Sequence, residues 1–365
     1  MLTYLSIQGF KSIERLEGFE PGRINVLIGA NGAGKSNLLS FFRMLGFSLS
    51  NGDGLRGYVG MQGGASKLLF GGVGRSRVID ARLRFKGTKE DSFNEYAFSL
   101  AHAAEDSFIF TNEEFRYRSD GANHPAPGLG AGHNEPKLVN AALTNATAKH
   151  ITQALRRIIY HQFHNTSSTS RMRDKWREDD NRHLKEDGGN LAPFLLRIRE
   201  LAPQYYRIIR DSVRRLLPFF DDFVLEPDYG HILLRWKERG SDVVFGASQA
   251  SDGMLRLFAL VALLQQPPEG LANVLILDEP ELGLHPAGIE LLGGLIRSAS
   301  VQTQFFIATQ SPHLVDCFEP EDVIVVERKD GASTFTRHSS EELEVWLEEY
   351  SMGDIWRMNL VGGRP

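Results

Sequence analysis

Two short stretches carry residue types able to do phosphoryl chemistry. Gly29-Ala-Asn-Gly-Ala-Gly-Lys-Ser36 fits the pattern GxxxxGK[ST] without a mismatch. It follows the apolar run 23–28 and precedes a helical pattern over 37–49, the context such a loop needs. Glycines let backbone N–H groups converge on phosphates, and a following helix directs the positive end of its dipole there. Gly29, Asn31, Gly32, Ala33, Gly34 and Asn37 would line the anion. Lys35 would reach the β- and γ-phosphates of ATP, and the Ser36 hydroxyl would hold Mg²⁺. An accidental match in a chain with 36 glycines is the bland alternative, and the flanking pattern argues against it.

The second stretch is Val274-Leu-Ile-Leu-Asp278-Glu279-Pro280. Four apolar residues that end in two acids read as a buried strand with carboxylates at its carboxyl end, where α/β proteins place their ligand crevice. Asp278 could hold the metal, and Glu279 could orient or deprotonate an attacking water. Between the two stretches lies Ala250-Ser251-Asp252-Gly253-Met254-Leu255-Arg256, a polar turn opening an apolar helix. Ser251 or Asp252 suits an N-cap and Gly253 allows close backbone approach. An ordinary capped helix and a second anion site, for a phosphate held by another subunit, both fit these residues.

The elements that must position these residues alternate along the chain. Strands are predicted at 2–7, 23–28, 78–85, 96–100 and 108–117, the last three as an antiparallel accessory sheet. Residues 51–74, with Gly52, Gly54, Gly57, Gly60, Gly63, Gly64, Gly71, Gly72 and Gly74, read as a flexible loop. Residues 119–136 form the best internal linker. Helical periodicity covers 138–160 and 191–217, with a polar charged stretch at 165–190 between them. Strands follow at 232–236 and 243–245, a helix at 252–264, and short buried strands at 274–277, 305–308 and 323–326. An amphipathic helix is expected around 341–349. The predicted organisation is an ATPase half over 1–118, a linker and helical insertion over 119–222, and a second ATPase half over 223–365.

Taken together, Gly29–Ser36, Ser251-Asp-Gly-Met-Leu-Arg256 and Leu277-Asp-Glu-Pro-Glu-Leu-Gly-Leu-His-Pro286 resemble the RecF/SMC-like branch of ABC ATPases. More narrowly, the chain resembles stand-alone predicted ATPases related to the OLD proteins. Gly9-Phe-Lys-Ser-Ile13, Tyr160-His-Gln-Phe-His-Asn-Thr-Ser167, Ala308-Thr-Gln-Ser-Pro-His313 and Gly362-Gly-Arg-Pro365 agree with that subgroup. The resemblance implies an α/β P-loop head with a mixed central sheet, an accessory antiparallel sheet, and a helical lobe between the phosphate loop and the signature. It implies ATP and Mg²⁺ as ligands and a homodimer, or higher oligomer, in which Ser251, Asp252 and Gly253 contact ATP bound by the partner. Residues 281–285 resemble the D-loop, and Gln310 stands at the switch position where most ABC proteins have histidine. Gln62 is the candidate for the Q-loop, facing metal or lytic water. OLD proteins continue into a Toprim nuclease, for which this sequence has no room, so a nuclease or other effector is expected as a separate polypeptide. DNA is implied as a partner and anti-phage defence as a context. A RecF-like repair ATPase is the alternative. A transporter subunit fits less well, given the roughly 215 residues between Lys35 and Ser251.

Composition agrees with a globular chain: 42% hydrophobic, 24% charged, formal net charge −5. Residues 151–220 nonetheless hold fourteen Lys or Arg against eight Asp or Glu, a basic island that suits either a polyanion or a solvated helix face. The single cysteine, Cys317, excludes an intramolecular disulfide, fits a reducing cytosol and reads as a small buried side chain. The first residues lack the pattern of a signal peptide, and no apolar run has the length a membrane helix needs. A cytoplasmic location with no membrane partner is expected. His161 and His164 have metal-compatible spacing, but no further ligands nearby, and are expected to be hydrogen-bonded structural histidines.

Overall fold

The computed structural model describes residues 1–49, 54–87, 89, 91–119, 122–125 and 128–364. At its centre is a six-stranded mixed sheet that follows directly from the apolar runs. Its order is Ala332–Arg337, Val323–Lys329, Ile24–Ile28, Gln304–Ala308, Val274–Asp278, Ile158–His161. All pairings are parallel except that of the edge strand Ala332–Arg337. Ile24–Ile28, Val274–Asp278 and Gln304–Ala308 are buried at every residue, as parallel strands covered on both faces must be.

Successive side chains of these strands enter different cores. Val26, Ile28, Leu275, Leu277, Phe305 and Ile307 pack with the helices Leu191–Leu201, Pro203–Leu216, Asp252–Leu264 and Pro286–Ala299. Leu27, Val274, Ile276, Phe306 and Ala308 pack instead with the helix Lys35–Ser48 and with the accessory sheet. That second sheet has the order Ile13–Phe19, Leu2–Phe10, Val78–Lys86, Phe93–Ala103, Ser107–Ser119, Ala122–Pro125, antiparallel throughout.

Register brings the functional ends level. Asp278 pairs with Ala308, Ala308 with Leu27, and Leu277 with His161. The chain therefore leaves these neighbouring parallel strands at one edge of the sheet, through Gln162, Glu279, Thr309 and Gly29.

Several sequence expectations are revised. The periodicity at 138–160 is not one helix. It divides into Leu138–Ala141, Ala146–Arg156 and the strand Ile158–His161, because β-branched Ile158 and Ile159 lie beside the buried Val274–Leu277 strand. The expected insertion 119–222 thus contributes an edge of the central sheet. The pattern over 191–217 breaks at Ala202–Pro203, since proline cannot continue the hydrogen-bond ladder. Within the glycine-dense region, Gly54–Met61 is a helix. The carboxylate of Glu135 accepts from Leu55 N at 2.7 Å and Arg56 N at 2.9 Å and so caps it. Gly52 and linker residues 120, 121, 126 and 127 lie outside the described residues. The linker is tied down by buried Glu113, which accepts from Lys137 N, Leu138 N, the Tyr96 hydroxyl and His133. The late amphipathic helix is Ser340–Leu347, in which only Leu343 is buried. No helix among the described residues is long and apolar enough to cross a membrane.

Candidate functional site

The phosphate loop is shaped by close packing that only glycine tolerates at two positions. Gly29 has φ 148° and a Cβ there would lie 2.2 Å from Val326 O. Gly34 has φ 116°, caps the following helix, and a Cβ would lie 2.0 Å from Ser333 Oγ. Ser12 and Ser333 clamp the loop from behind. Their hydroxyls are 2.7 Å apart, Ser333 Oγ donates to Ala33 O at 2.5 Å, and Asn37 Nδ2 donates to Ser12 Oγ at 2.7 Å. Asn31, Gly32 and Ser36 stay exposed, so the open side of the loop is polar. The Lys35 ammonium donates to Gly29 O at 2.5 Å and Ala30 O at 3.2 Å. Burial lowers its pKa, and Glu279, Asp278 and Glu281 oppose that shift. The loop lysine therefore shares one field with all three carboxylates.

On the facing strand, Asp278 Oδ2 accepts from the Tyr160 hydroxyl at 3.1 Å and from Gln162 Nε2 at 3.4 Å. Burial raises the Asp278 pKa, while the Tyr160 hydrogen bond pulls it down. Glu279 follows with φ 44°, a left-handed backbone uncommon outside glycine. Its N–H still donates to Ala308 O at 2.8 Å. The residue turns out of the sheet there, and Gln310 Nε2 donates to its Oε1. Strained backbone of this kind persists where surrounding structure fixes it, and it concentrates at functional sites. Glu281 is buried, with Oε1 accepting from Thr309 Oγ1 at 2.5 Å and from Gln310 N at 3.3 Å. Burial raises its pKa, and its Oε2 has no hydrogen-bond partner among the described residues. Residues 281–285 are thereby fastened to the turn at Thr309–Gln310.

Lys35, Asp278, Glu279 and Gln310 are brought together. Ser251, Asp252 and Gly253 pack against other partners, Gly283 and Arg173. Ser251 Oγ caps the helix Asp252–Leu264, accepting from Met254 N at 3.3 Å, and a Cβ on Gly253 would meet Gly283 O at 2.5 Å. No hydrogen bond among the described residues joins this turn to Gly29–Ser36. Gln62 is also apart from the acids: its Oε1 accepts from Lys11 Nζ at 3.3 Å. The glutamine that does reach Asp278 is Gln162, one residue beyond the edge strand Ile158–His161. His164 completes this side, with Nδ1 accepting from Gln162 Nε2 at 3.0 Å and Nε2 donating to Asp278 O at 3.0 Å. Its Nε2 also lies 3.8 Å from Glu279 Oε2. Buried Arg256 holds this segment, donating to Phe163 O at 2.9 Å and His164 O at 3.3 Å. Sequence reasoning missed Gln162, His164 and Arg256 as site residues. The only local signal was β-branched Ile158–Ile159 ahead of the polar run 160–167, too short to mark a strand without its pairing to Val274–Leu277.

Hard oxygen donors suit Mg²⁺, which takes one or two carboxylates or hydroxyls together with substrate phosphates. The exposed Ser36 hydroxyl and the Asp278 carboxylate provide such a set, with Oδ2 alone of Asp278 engaged by Tyr160 and Gln162.

Comparison with known proteins gives the family and the fold. Residues 24–316 match the family described as "AAA domain, putative AbiEii toxin, Type IV TA system", and the chain belongs to that family. Among solved structures, an SMC head bound to the C-terminal winged-helix domain of ScpA aligns with a TM-score of 0.61 at 18% identity, covering 94% of this chain and 99% of that one. An SMC head with an extended coiled coil, bound to the C-terminal domain of ScpA derived from Pyrococcus furiosus, aligns at 0.53 and 16% identity, covering 95% and 98%. The fold is thus that of the SMC-head P-loop ATPases, as the RecF/SMC-like resemblance implied. The sequence matches no curated protein.

Proposed function

We propose that this chain binds ATP with Mg²⁺ and hydrolyses it in composite sites formed by two copies, using the cycle as a conformational switch. The observation that carries the hydrolytic reading is the Gln310 amide on the Glu279 carboxylate, beside Asp278 and in the field of Lys35. A bound Mg²⁺ would neutralise charge on the β- and γ-phosphates, held by Ser36 and Asp278. Lys35 contributes a further cation there. Glu279 takes a proton from the attacking water, oriented by Gln310 on one side and His164 on the other. Gln162, rather than Gln62, supplies the amide at the metal-holding carboxylate.

That no hydrogen bond among the described residues ties Ser251–Gly253 to the phosphate loop of the same chain is consistent with a role in trans, and the resemblance to ABC ATPases favours it. Each helix tip would seal the nucleotide of the partner, with its N–H groups toward the γ-phosphate. Closure on ATP and release after hydrolysis would control a separate effector, a nuclease in our reading, or the engagement of DNA by the basic island at 151–220. The family's description as part of a toxin–antitoxin system supports a defence context. That an SMC head of the same fold is seen bound to a winged-helix domain of ScpA supports control through a partner protein.

The test is Glu279→Gln in the full chain. We expect ATP binding within threefold of wild type, turnover reduced by about 10²–10⁴-fold as loss of a general base implies, and an ATP-dependent dimer in sedimentation velocity. Turnover at the wild-type rate would end the assignment.

A further inference from the structure

The phosphate loop has a second flank, away from the acids. The strand Val323–Lys329 borders Ile24–Ile28 on the side opposite Gln304–Ala308. Between that strand and the loop lies a cavity of about 490 Å³, lined by Asn31 and Gly32 on one side and by Arg328, Lys329, Asn359 and Arg364 on the other. Arg328 donates to Gly331 O at 3.3 Å and Gly32 O at 3.5 Å and has no carboxylate partner among the described residues. Lys329 pairs with Glu327 at 2.9 Å. Arg364 has no carboxylate partner among the described residues. The cavity is therefore walled by two guanidinium groups, and the one acid in its lining, Glu327, is already engaged by Lys329 and by Gly363 N.

The segment that delivers Arg364 is built into the fold. Fully buried Trp356 donates its indole N–H to Gly363 O at 2.7 Å, and Gly363 N donates to Glu327 Oε1 at 3.3 Å. Gly362 and Gly363 have φ 81° and 63°. A Cβ on Gly362 would lie 2.9 Å from Glu327 Oε1, and one on Gly363 would lie 2.6 Å from Val325 Cγ1 and 3.5 Å from Gly29 Cα. Two glycines in succession are required for the chain to pass so near the first glycine of the phosphate loop and turn out beside it.

From this geometry we infer that Arg364, with Arg328, is a polyphosphate contact of the nucleotide held by the same chain's loop. Guanidinium groups are the side chains best matched to phosphate oxygens. The loop's own backbone, at Asn31 and Gly32, lines the same cavity, so phosphates held there would come within their reach. The inference rests on the ATP-binding reading and extends it. The site grips the triphosphate from both flanks, with Lys35 on the acid side and Arg364 on the other.

The experiment is equilibrium binding of fluorescent ATP and ADP analogues to the full chain and to Arg364→Ala, Arg364→Lys and the double variant Arg364→Ala/Arg328→Ala, with thermal unfolding alongside. Arg364→Ala should weaken ATP by about tenfold, the loss of one charge-assisted hydrogen bond, and ADP by less. Arg364→Lys should recover part of the loss. The exposed side chain should leave the unfolding midpoint in place. Gly363→Ala should reproduce the ATP defect by moving the arginine. ATP affinities within twofold of wild type for both Arg364→Ala and the double variant would overturn the inference while leaving the ATPase reading intact. Failure of wild type itself to bind ATP would overturn both.

Discussion

Gly253, in the first turn of the Asp252–Leu264 helix, lies so close to Gly283 that a Cβ on it would fall 2.5 Å from the Gly283 carbonyl oxygen. Gly283 itself has φ 74°, and a Cβ there would meet Arg256 Nη1 at 2.8 Å. The turn at Ser251–Gly253 and the loop at residues 281–285 are thus packed backbone to backbone, and Arg256 also reaches the carbonyls of Phe163 and His164. Gly253→Ala must push the two apart. We expect a loss of about 1–3 kcal/mol, the usual cost of overpacking, and a turnover defect larger than any defect in ATP binding. Thermal unfolding and steady-state hydrolysis measure the two effects. An unchanged unfolding midpoint with normal turnover would show that the contact yields freely.

Two glutamines make a direct comparison. Gln162 Nε2 reaches Asp278 Oδ2 at 3.4 Å, whereas Gln62 Oε1 faces Lys11. Gln162→Ala is expected to raise the Mg²⁺ concentration for half-maximal hydrolysis several-fold and to lower turnover. Gln62→Ala should leave both within twofold of wild type. A Mg²⁺ titration of hydrolysis by each variant checks this, and a defect confined to Gln62→Ala would return the metal-facing role to the glycine-rich region.

That comparison also shows what the sequence made legible. Glycines, a Lys-Ser pair and a buried run ending in Asp278-Glu279 carry their geometry locally, so the loop, the acid strand and the Ser251 cap could be read directly. Gln310 was reached through the family resemblance, as the switch position after the apolar, β-rich run read at 305–308. Gln162 was not legible, because Ile158–His161 is four residues long and follows the helix Ala146–Arg156 after a single residue. Its strand character comes from pairing with Val274–Leu277, more than a hundred residues away. Helical periodicity therefore extended over it. His164 and Arg256 were likewise hidden, since each gains meaning only from a carbonyl brought near by the fold.

His161 should give the stability curve an acid limb. It is fully buried at the end of the edge strand, and burial lowers its pKa from 6.5 to about 4. The folded state thus favours the neutral ring, and between about pH 6.5 and 4 the unfolded chain binds more protons. Stability contributed by this residue is whole above pH 6.5 and is lost as pH falls through that window, on the order of 3 kcal/mol in total. Asp278 and Glu281 act in the opposite sense, because burial raises their pKa values. The expected observation is therefore a difference: relative to wild type, His161→Gln loses less stability between pH 6.5 and 4. Parallel denaturation curves across that range would exclude a buried neutral histidine.

A composite site can be separated from a self-contained one by mixing defective chains. Ser251→Arg adds bulk and removes a cap worth about 1 kcal/mol, yet the helix Asp252–Leu264 buries ten residues and should remain folded. Lys35→Ala removes the loop cation while keeping the helix tip. Alone, each variant should fail to hydrolyse ATP, and Ser251→Arg should still bind ATP as a monomer. In a mixed dimer, the intact loop of the Ser251→Arg chain meets the intact helix tip of the Lys35→Ala chain. One working site then forms per mixed pair. An equal mixture should recover roughly a quarter of wild-type turnover if pairing is random and the two sites are independent. Titration of one inactive chain into the other, followed by phosphate release, gives the measurement. A mixture as inactive as its components would mean that Ser251 does not serve a neighbour's nucleotide.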